Sequence, residues 1–148
     1  MEAQRIIITG GATRIGAAIA EKLSGPNKQI IIHYNKSKAK AENLKKKLQK
    51  YGSKIYLVKG NLSKEKDVMK IVKFAKSKLK YFDCLINNAS LFENDKLENF
   101  TTDSWGQHLR TNLRTSAVLA KIRNVSRHGL ETGLRTCLLY TSDAADDP

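Results

Sequence analysis

Arg5-Ile-Ile-Ile-Thr-Gly-Gly-Ala-Thr-Arg-Ile-Gly16 is the stretch that decides the fold of this 148-residue chain. Ile6, Ile7 and Ile8 make a β-branched apolar run too brief for a helix, and Gly10-Gly11 stops it. Such a run reads as a strand buried on both faces. Beyond the glycines, Ile15, Ala18, Ile19 and Leu23 fall at helical spacing, and Gly25-Pro26 ends the pattern. A glycine turn between a buried strand and a helix has a chemical use. Gly10 allows a tight turn and close approach of backbone to a pyrophosphate, and Gly16 lets the helix pack tightly on the strand. The helix N-terminus adds free N–H groups and a positive dipole end. Glycines alone are a weak signal; the strand–turn–helix setting makes it specific.

The alternation continues outward. Gln29 to Tyr34 is a second buried strand. Ser37 stands at a capping position ahead of a helix whose Ala41, Leu44, Leu48 and Tyr51 form one apolar stripe before Gly52. Lys54 to Lys59 is a third strand, and Ser63 caps a helix carrying Val68, Ile71, Val72, Ala75 and Leu79. Asp83 to Ala89 makes a fourth strand, and Thr102 to about Ile122 a fourth helix. The order βαβαβαβα predicts parallel strands, right-handed crossovers and helices on both faces. The expected class is α/β: a Rossmann-type doubly wound parallel sheet, truncated after about four βα units, with ligands at the carboxyl ends of the strands.

Composition narrows the function classes. Hydrophobic residues at 41% fit a folded core rather than a disordered chain. Two cysteines exclude a disulfide scaffold and suit a reducing, cytoplasmic compartment. No apolar run approaches the ~18 residues of a membrane span, and Ile6 to Ile8 is too short for a secretory signal. Basic residues outnumber acidic ones 27 to 14, a net +13, and sixteen of the twenty lysines lie between Lys36 and Lys80. Lys45, Lys46 and Lys47 flank the apolar stripe of the second helix, as on a solvated face. A nucleic-acid groove is the sharper alternative, but no aromatic platform or base-reading motif accompanies the charge. Neither nucleic acid nor membrane is therefore expected as a partner.

The C-terminus reads differently. Cys137-Leu-Leu-Tyr-Thr-Ser-Asp-Ala-Ala-Asp-Asp147 resembles the conceptual translation of a transposase adapter used in sequencing libraries. On that reading 137–148 are adapter-derived, Cys84 is the lone native cysteine, and removing Asp143, Asp146 and Asp147 raises the net charge to +16. Arg110 to Arg135 carries five arginines and one lysine, Lys121, a shift that sets 122–136 apart from what precedes them. The expected organisation is 1–136 as the N-terminal, cofactor-binding part of a single larger domain.

The turn Thr9-Gly-Gly-Ala-Thr-Arg-Ile-Gly16 resembles the Thr-Gly-x-x-x-Gly-x-Gly of the short-chain dehydrogenase/reductase family, with Arg14 replacing the middle glycine. That replacement is similar to the pteridine reductases and related dihydropteridine, dihydromonapterin or dihydrofolate reductases, whose turns read Thr-Gly-x-x-x-Arg-Ile/Leu-Gly. The resemblance implies that Gly10, Arg14, Ile15 and Gly16 meet the cofactor, with Arg14 also beside the pterin. At the end of the second strand, His33-Tyr-Asn-Lys-Ser37 lacks the carboxylate that an NAD site places about 20 residues beyond its turn. Lys36 offers a charge and Ser37 a hydroxyl. The segment is similar to the His-Tyr-x-x-Ser of pteridine reductases. His33, Asn35, Lys36 and Ser37 are therefore assigned to the cofactor, and NADPH is expected over NADH. The blander alternative makes Ser37 a helix cap and Lys36 a surface residue.

Asn61-Leu62 matches the family's Asp-Leu/Val at the adenine. Asn87-Asn-Ala-Ser-Leu-Phe92 matches its Asn-Asn-Ala-Gly, with Ser90 replacing the glycine. The resemblance puts Asn88, Ala89 and Ser90 on the cofactor. It puts Arg14, Ser90 and Phe92 on the substrate, the phenylalanine stacking on a flat heterocycle whose edge the serine bonds. Asn112 matches the asparagine of the family's catalytic tetrad, whereas Trp105 reads as a packing residue. No metal site is expected.

The family's Tyr-x-x-x-Lys lies on the helix after its fifth strand and is not found there; Tyr140 is followed four residues later by Ala144. The resemblance thus implies an NADPH-dependent oxidoreductase whose intact form reduces a small pterin or dihydrofolate-type substrate and is a homo-oligomer, this chain itself being inactive. Two alternatives stand: a short-chain reductase of a ketone such as a 3-oxoacyl thioester, and a non-catalytic nucleotide- or nucleic-acid-binding module.

Overall fold

A strand with no polar face needs cover on both sides, and that requirement organises the chain. The computed structural model describes residues 3–91, 101–125 and 136–138. Strand β1 (Gln4–Thr9) leads to α1 (Arg14–Leu23), β2 (Lys28–Tyr34), α2 (Lys38–Gln49), β3 (Lys54–Lys59), α3 (Glu65–Leu79) and β4 (Cys84–Asn87). Next come α4 (Thr102–His108), a π-helical segment (Leu109–Arg114), α5 (Thr115–Val125) and β5 (Thr136–Leu138). The strands lie in the order β3-β2-β1-β4-β5, and every neighbouring pair is parallel. The expected doubly wound α/β sheet is therefore present.

Side chains alternate across β1, so each isoleucine serves one of two cores. Ile6 and Ile8 join Ile30, Ile32 and Ile55 beneath Ala20, Ala41, Leu44 and Leu48 of α1 and α2. Ile7 joins Ile31, Val58 and Leu85 beneath Val68, Ile71, Val72, Ala75 and Leu79 of α3 and Leu119 of α5. From β1 the chain steps outward to β3, then returns to place β4 on the other side of β1. That reversal opens a crevice above the carboxyl end of β1, and the site lies there.

Beyond the four expected strands, β5 pairs with the edge of β4 through Thr136, Cys137 and Leu138, giving its backbone groups partners. Several local expectations are corrected. The buried side of α1 is Gly16 and Ala20, with Ile19 and Leu23 partly buried, whereas Ile15 and Ala18 are exposed. Small residues let this helix approach the sheet, so hydropathy alone misplaces its inner face. Tyr51 is 46% exposed and lies beyond the end of α2. Helix α3 starts at Glu65, and Ser63 bonds Asn61 instead of capping it. The fourth helix is broken by its π segment, and Trp105 is 52% exposed where packing was expected. Among the described residues, no helix is long and apolar enough to cross a membrane.

Candidate functional site

The turn after β1 is held by its neighbours as much as by its own sequence. Gly10 has φ +62°, and a side chain there would lie 3.0 Å from the Ala89 Cα. At Gly16 a Cβ would collide with the Gly10 carbonyl and come within 2.6 Å of the Asn88 amide nitrogen. Both positions therefore require glycine, and the resulting cradle has room only for something brought close to bare backbone. Arg14 opens α1 with φ +48°, a conformation most side chains avoid. The family's middle glycine has its physical reason in that angle. Thr13 is the N-cap of α1, yet its side chain makes no capping bond.

Contacts from β4 lock the turn. The Thr9 hydroxyl accepts hydrogen bonds from the Asn88 and Ala89 N–H groups, each at 3.0 Å. Asn88 Nδ2 donates to the Thr9 and Gly10 carbonyls, both at 3.1 Å. Beyond Ser90, the Asn112 carboxamide accepts from the Leu91 N–H at 2.8 Å and donates to the Leu91 carbonyl at 3.0 Å. Asn112 sits in the π segment, where Thr115 N–H reaches back to the Arg110 carbonyl. Such insertions in helices often mark functional positions. With its side chain engaged by the loop, Asn112 has only its backbone to offer a reaction.

His33 closes the turn from the β2 side. It is 2% exposed. Its Nδ1 accepts from the Gly10 N–H at 3.1 Å, and Nε2 donates to the Gly60 carbonyl at 2.9 Å. Burial pushes its pKa below the ordinary 6.5, while the Gly60 bond and the Asp67 carboxylate oppose that shift. The ring is therefore neutral near pH 7. Next to it Asn35 and Lys36 are exposed, and Ser37 is the N-cap of α2 with no capping bond from its side chain. Ser37 thus caps α2 through its backbone carbonyl, which accepts from the Ala41 N–H at 3.0 Å, and its side chain is not used by the cap.

These parts converge on one cleft of about 330 Å³. Gly10, Arg14, Ile15 and Gly16 line it from the turn, His33, Asn35, Lys36 and Ser37 from β2, and Asn88, Ala89 and Ser90 from the β4 loop. Ala12, Thr13 and Tyr34 line it too and were missed on sequence, although Thr13 was legible as a helix N-cap. Among the described residues the lining holds two cationic side chains, Arg14 and Lys36, and no carboxylate. Asn61 and Leu62 are not part of this lining. Leu62 is 6% exposed in the core, and Asn61 Oδ1 accepts from the Ser63 N–H and hydroxyl. Phe92 lies outside the described residues. No cluster of metal-ligating side chains occurs among them. Chemically, the cleft suits a polyanion with an extended organic portion.

The short chain dehydrogenase family profile matches residues 4–131. The chain belongs to that family. Among relatives, it is 29% identical over 150 residues to the short-chain dehydrogenase/reductase FrzI of a Cladobotryum species, covering 94% of this chain and 58% of that protein. Its fold is similar to FolM alternative dihydrofolate reductase 1 from Brucella canis, solved with NADP, at 31% identity and TM-score 0.73, covering 83% of this chain and 50% of that one. A short chain dehydrogenase from Burkholderia cenocepacia, also solved with NADP, is 26% identical with TM-score 0.77, over 84% of this chain and 51% of the other. The chain thus spans about half the length of the relatives it matches.

Proposed function

We propose that this chain is the cofactor-binding half of an NADPH-dependent short-chain reductase whose intact form acts on a pterin or dihydrofolate-type small molecule. One observation carries the cofactor reading: Arg14, Lys36 and Ser37 meet in a carboxylate-free cleft at the N-terminal ends of α1 and α2. The glycine cradle fits a pyrophosphate, and Lys36 with the Ser37 hydroxyl fits a 2′-phosphate that a carboxylate would repel. NADPH, when bound, supplies a hydride. The chain's own residues bind and orient it: Gly10 and Gly16 by leaving space, Thr13 and Arg14 at the pyrophosphate, Asn88 and Ala89 by fixing the β4 loop.

The substrate class rests on Arg14 and Ser90 lining the same cleft, with Phe92 two residues beyond Ser90. A cation, a hydroxyl and a π-face suit a flat, hydrogen-bonding heterocycle better than an acyl chain. Likeness to FolM from Brucella canis, at 31% identity, supports the same side of the family. The intact protein is cytoplasmic and homo-oligomeric on this reading. Calorimetric titration of the 148-residue chain should give NADPH binding at least tenfold tighter than NADH, about 1.4 kcal/mol. Equal affinities would refute the cofactor choice. The full-length protein should oxidise NADPH with dihydrofolate or dihydropteridine and not with an acetoacetyl thioester; the reverse preference would overturn the substrate class.

A further inference from the structure

The partners of the His33 ring dictate its tautomer. A carbonyl oxygen cannot donate, so Nε2 carries the proton facing Gly60; an N–H cannot accept, so Nδ1 is the bare acceptor facing Gly10. The backbone repeats the same linkage on either side of the ring. Gly11 N–H donates to the His33 carbonyl at 3.0 Å, and Gly60 N–H to the Tyr34 carbonyl at 3.0 Å. The ring thus spans the ends of β1, β2 and β3, and its Nδ1 holds the residue whose φ of +62° bends the turn.

We infer that His33 is a positioning residue: its neutral ring holds Gly10 in the geometry that receives a pyrophosphate, and protonation at Nδ1 releases it. A protonated Nδ1 would set a donor against the Gly10 N–H with no acceptor between them. The turn would then lose its side-chain bond to β2, while the Gly11–His33 backbone bond and the Asn88 bonds remain. The groups around the ring act in both directions. Asp67 of α3 favours the charged ring. Burial disfavours it; Arg14 of the turn and Lys36 beyond β2 are the cationic groups lining the same cleft, and Lys59, the register partner of Tyr34 on β3, is exposed. From the loop after β4, the Asn88 side chain carries no charge.

The consequence for the cofactor rests on the NADPH reading above; the geometry of the turn does not. The test uses the full chain, its His33→Asn and His33→Leu variants, and NADP⁺, which survives acid. Asparagine keeps an acceptor near Nδ1 that does not protonate, and leucine has none. Amide NMR from pH 8 to pH 5 should show the wild-type Gly10 resonance titrating with the His33 ring. Calorimetry should show wild-type NADP⁺ affinity falling about tenfold more than that of His33→Asn over the same range. The 2′-phosphate titrates near pH 6 for both proteins, so its effect cancels in that ratio. At pH 8, His33→Asn should stay within about threefold of wild type and His33→Leu should bind roughly tenfold more weakly. A Gly10 amide indifferent to the ring, or a His33→Asn protein as pH-dependent as wild type, overturns the inference. A Gly10 amide that follows the ring in a chain that binds no NADP⁺ supports the positioning role and refutes the cofactor reading instead.

Discussion

Arg14→Gly should bind NADPH more weakly than the parent chain and melt higher than Arg14→Ala. Arg14 sits at φ +48°, where a residue with a Cβ is disfavoured by about 1–2 kcal/mol. Both variants lose what the guanidinium contributes to the fold, so the difference between them isolates the angle. Glycine removes the cost that alanine keeps but gives the unfolded chain more freedom, offsetting roughly 0.4–1 kcal/mol. The net advantage of glycine over alanine is about 0.5 kcal/mol, or a melting temperature higher by about 1–2 °C for a chain of this size. A charge-assisted bond to phosphate contributes about 1.5–3 kcal/mol, so its loss should weaken NADPH binding roughly ten- to a hundredfold in both variants. Thermal unfolding without ligand and calorimetric titration with NADPH measure the two effects separately. The reasoning fails if Arg14→Gly melts below Arg14→Ala, or if it binds NADPH as tightly as the parent chain.

Gly16→Ala should abolish NADPH binding and cost about 1–3 kcal/mol, because the new Cβ strikes the Gly10 carbonyl and the Asn88 amide; a variant that melts and binds normally would show that the turn is not tight. Urea midpoints should be higher at pH 8 than at pH 5, and the difference smaller in His33→Asn. The folded-state pKa of His33 lies below 6.5, so the unfolded chain takes up the proton first as pH falls; its share of stability is complete above about pH 6.5 and declines below it. Equal pH slopes in both proteins would remove His33 from the account. Lys36→Glu should lower the preference for NADPH over NADH by roughly tenfold or more, read as a ratio of dissociation constants, since it puts a carboxylate where the 2′-phosphate is expected. An unchanged ratio would place that phosphate elsewhere.

What could be read from sequence followed local rules. Ile6 to Ile8 announced a strand buried on both faces, and the glycines after it announced the turn. Eleven of the thirteen residues assigned to the cofactor line one cleft, because they sit at the ends of strands that any doubly wound sheet brings together. The inner face of α1 was not legible, since Gly16 and Ala20 are buried for closeness rather than hydropathy. Nor was the role of His33: its two partners are 23 and 27 residues away, and only the register of three strands puts them on opposite sides of one ring. The π segment left no trace in the spacing of its apolar residues.

The bracing of the β4 loop has a further consequence. Thr9 holds its beginning through the hydroxyl, and Asn112 holds Leu91 just past Ser90. Ordering a free loop costs about 1–2 kcal/mol per residue at the moment of binding; here that cost is met when the chain folds. A ligand seated on Ser90 is thereby coupled to the integrity of β1, with which it shares no contact. Thr9→Val, a change hidden at the end of a central strand, should weaken such a ligand although no residue that touches it is altered.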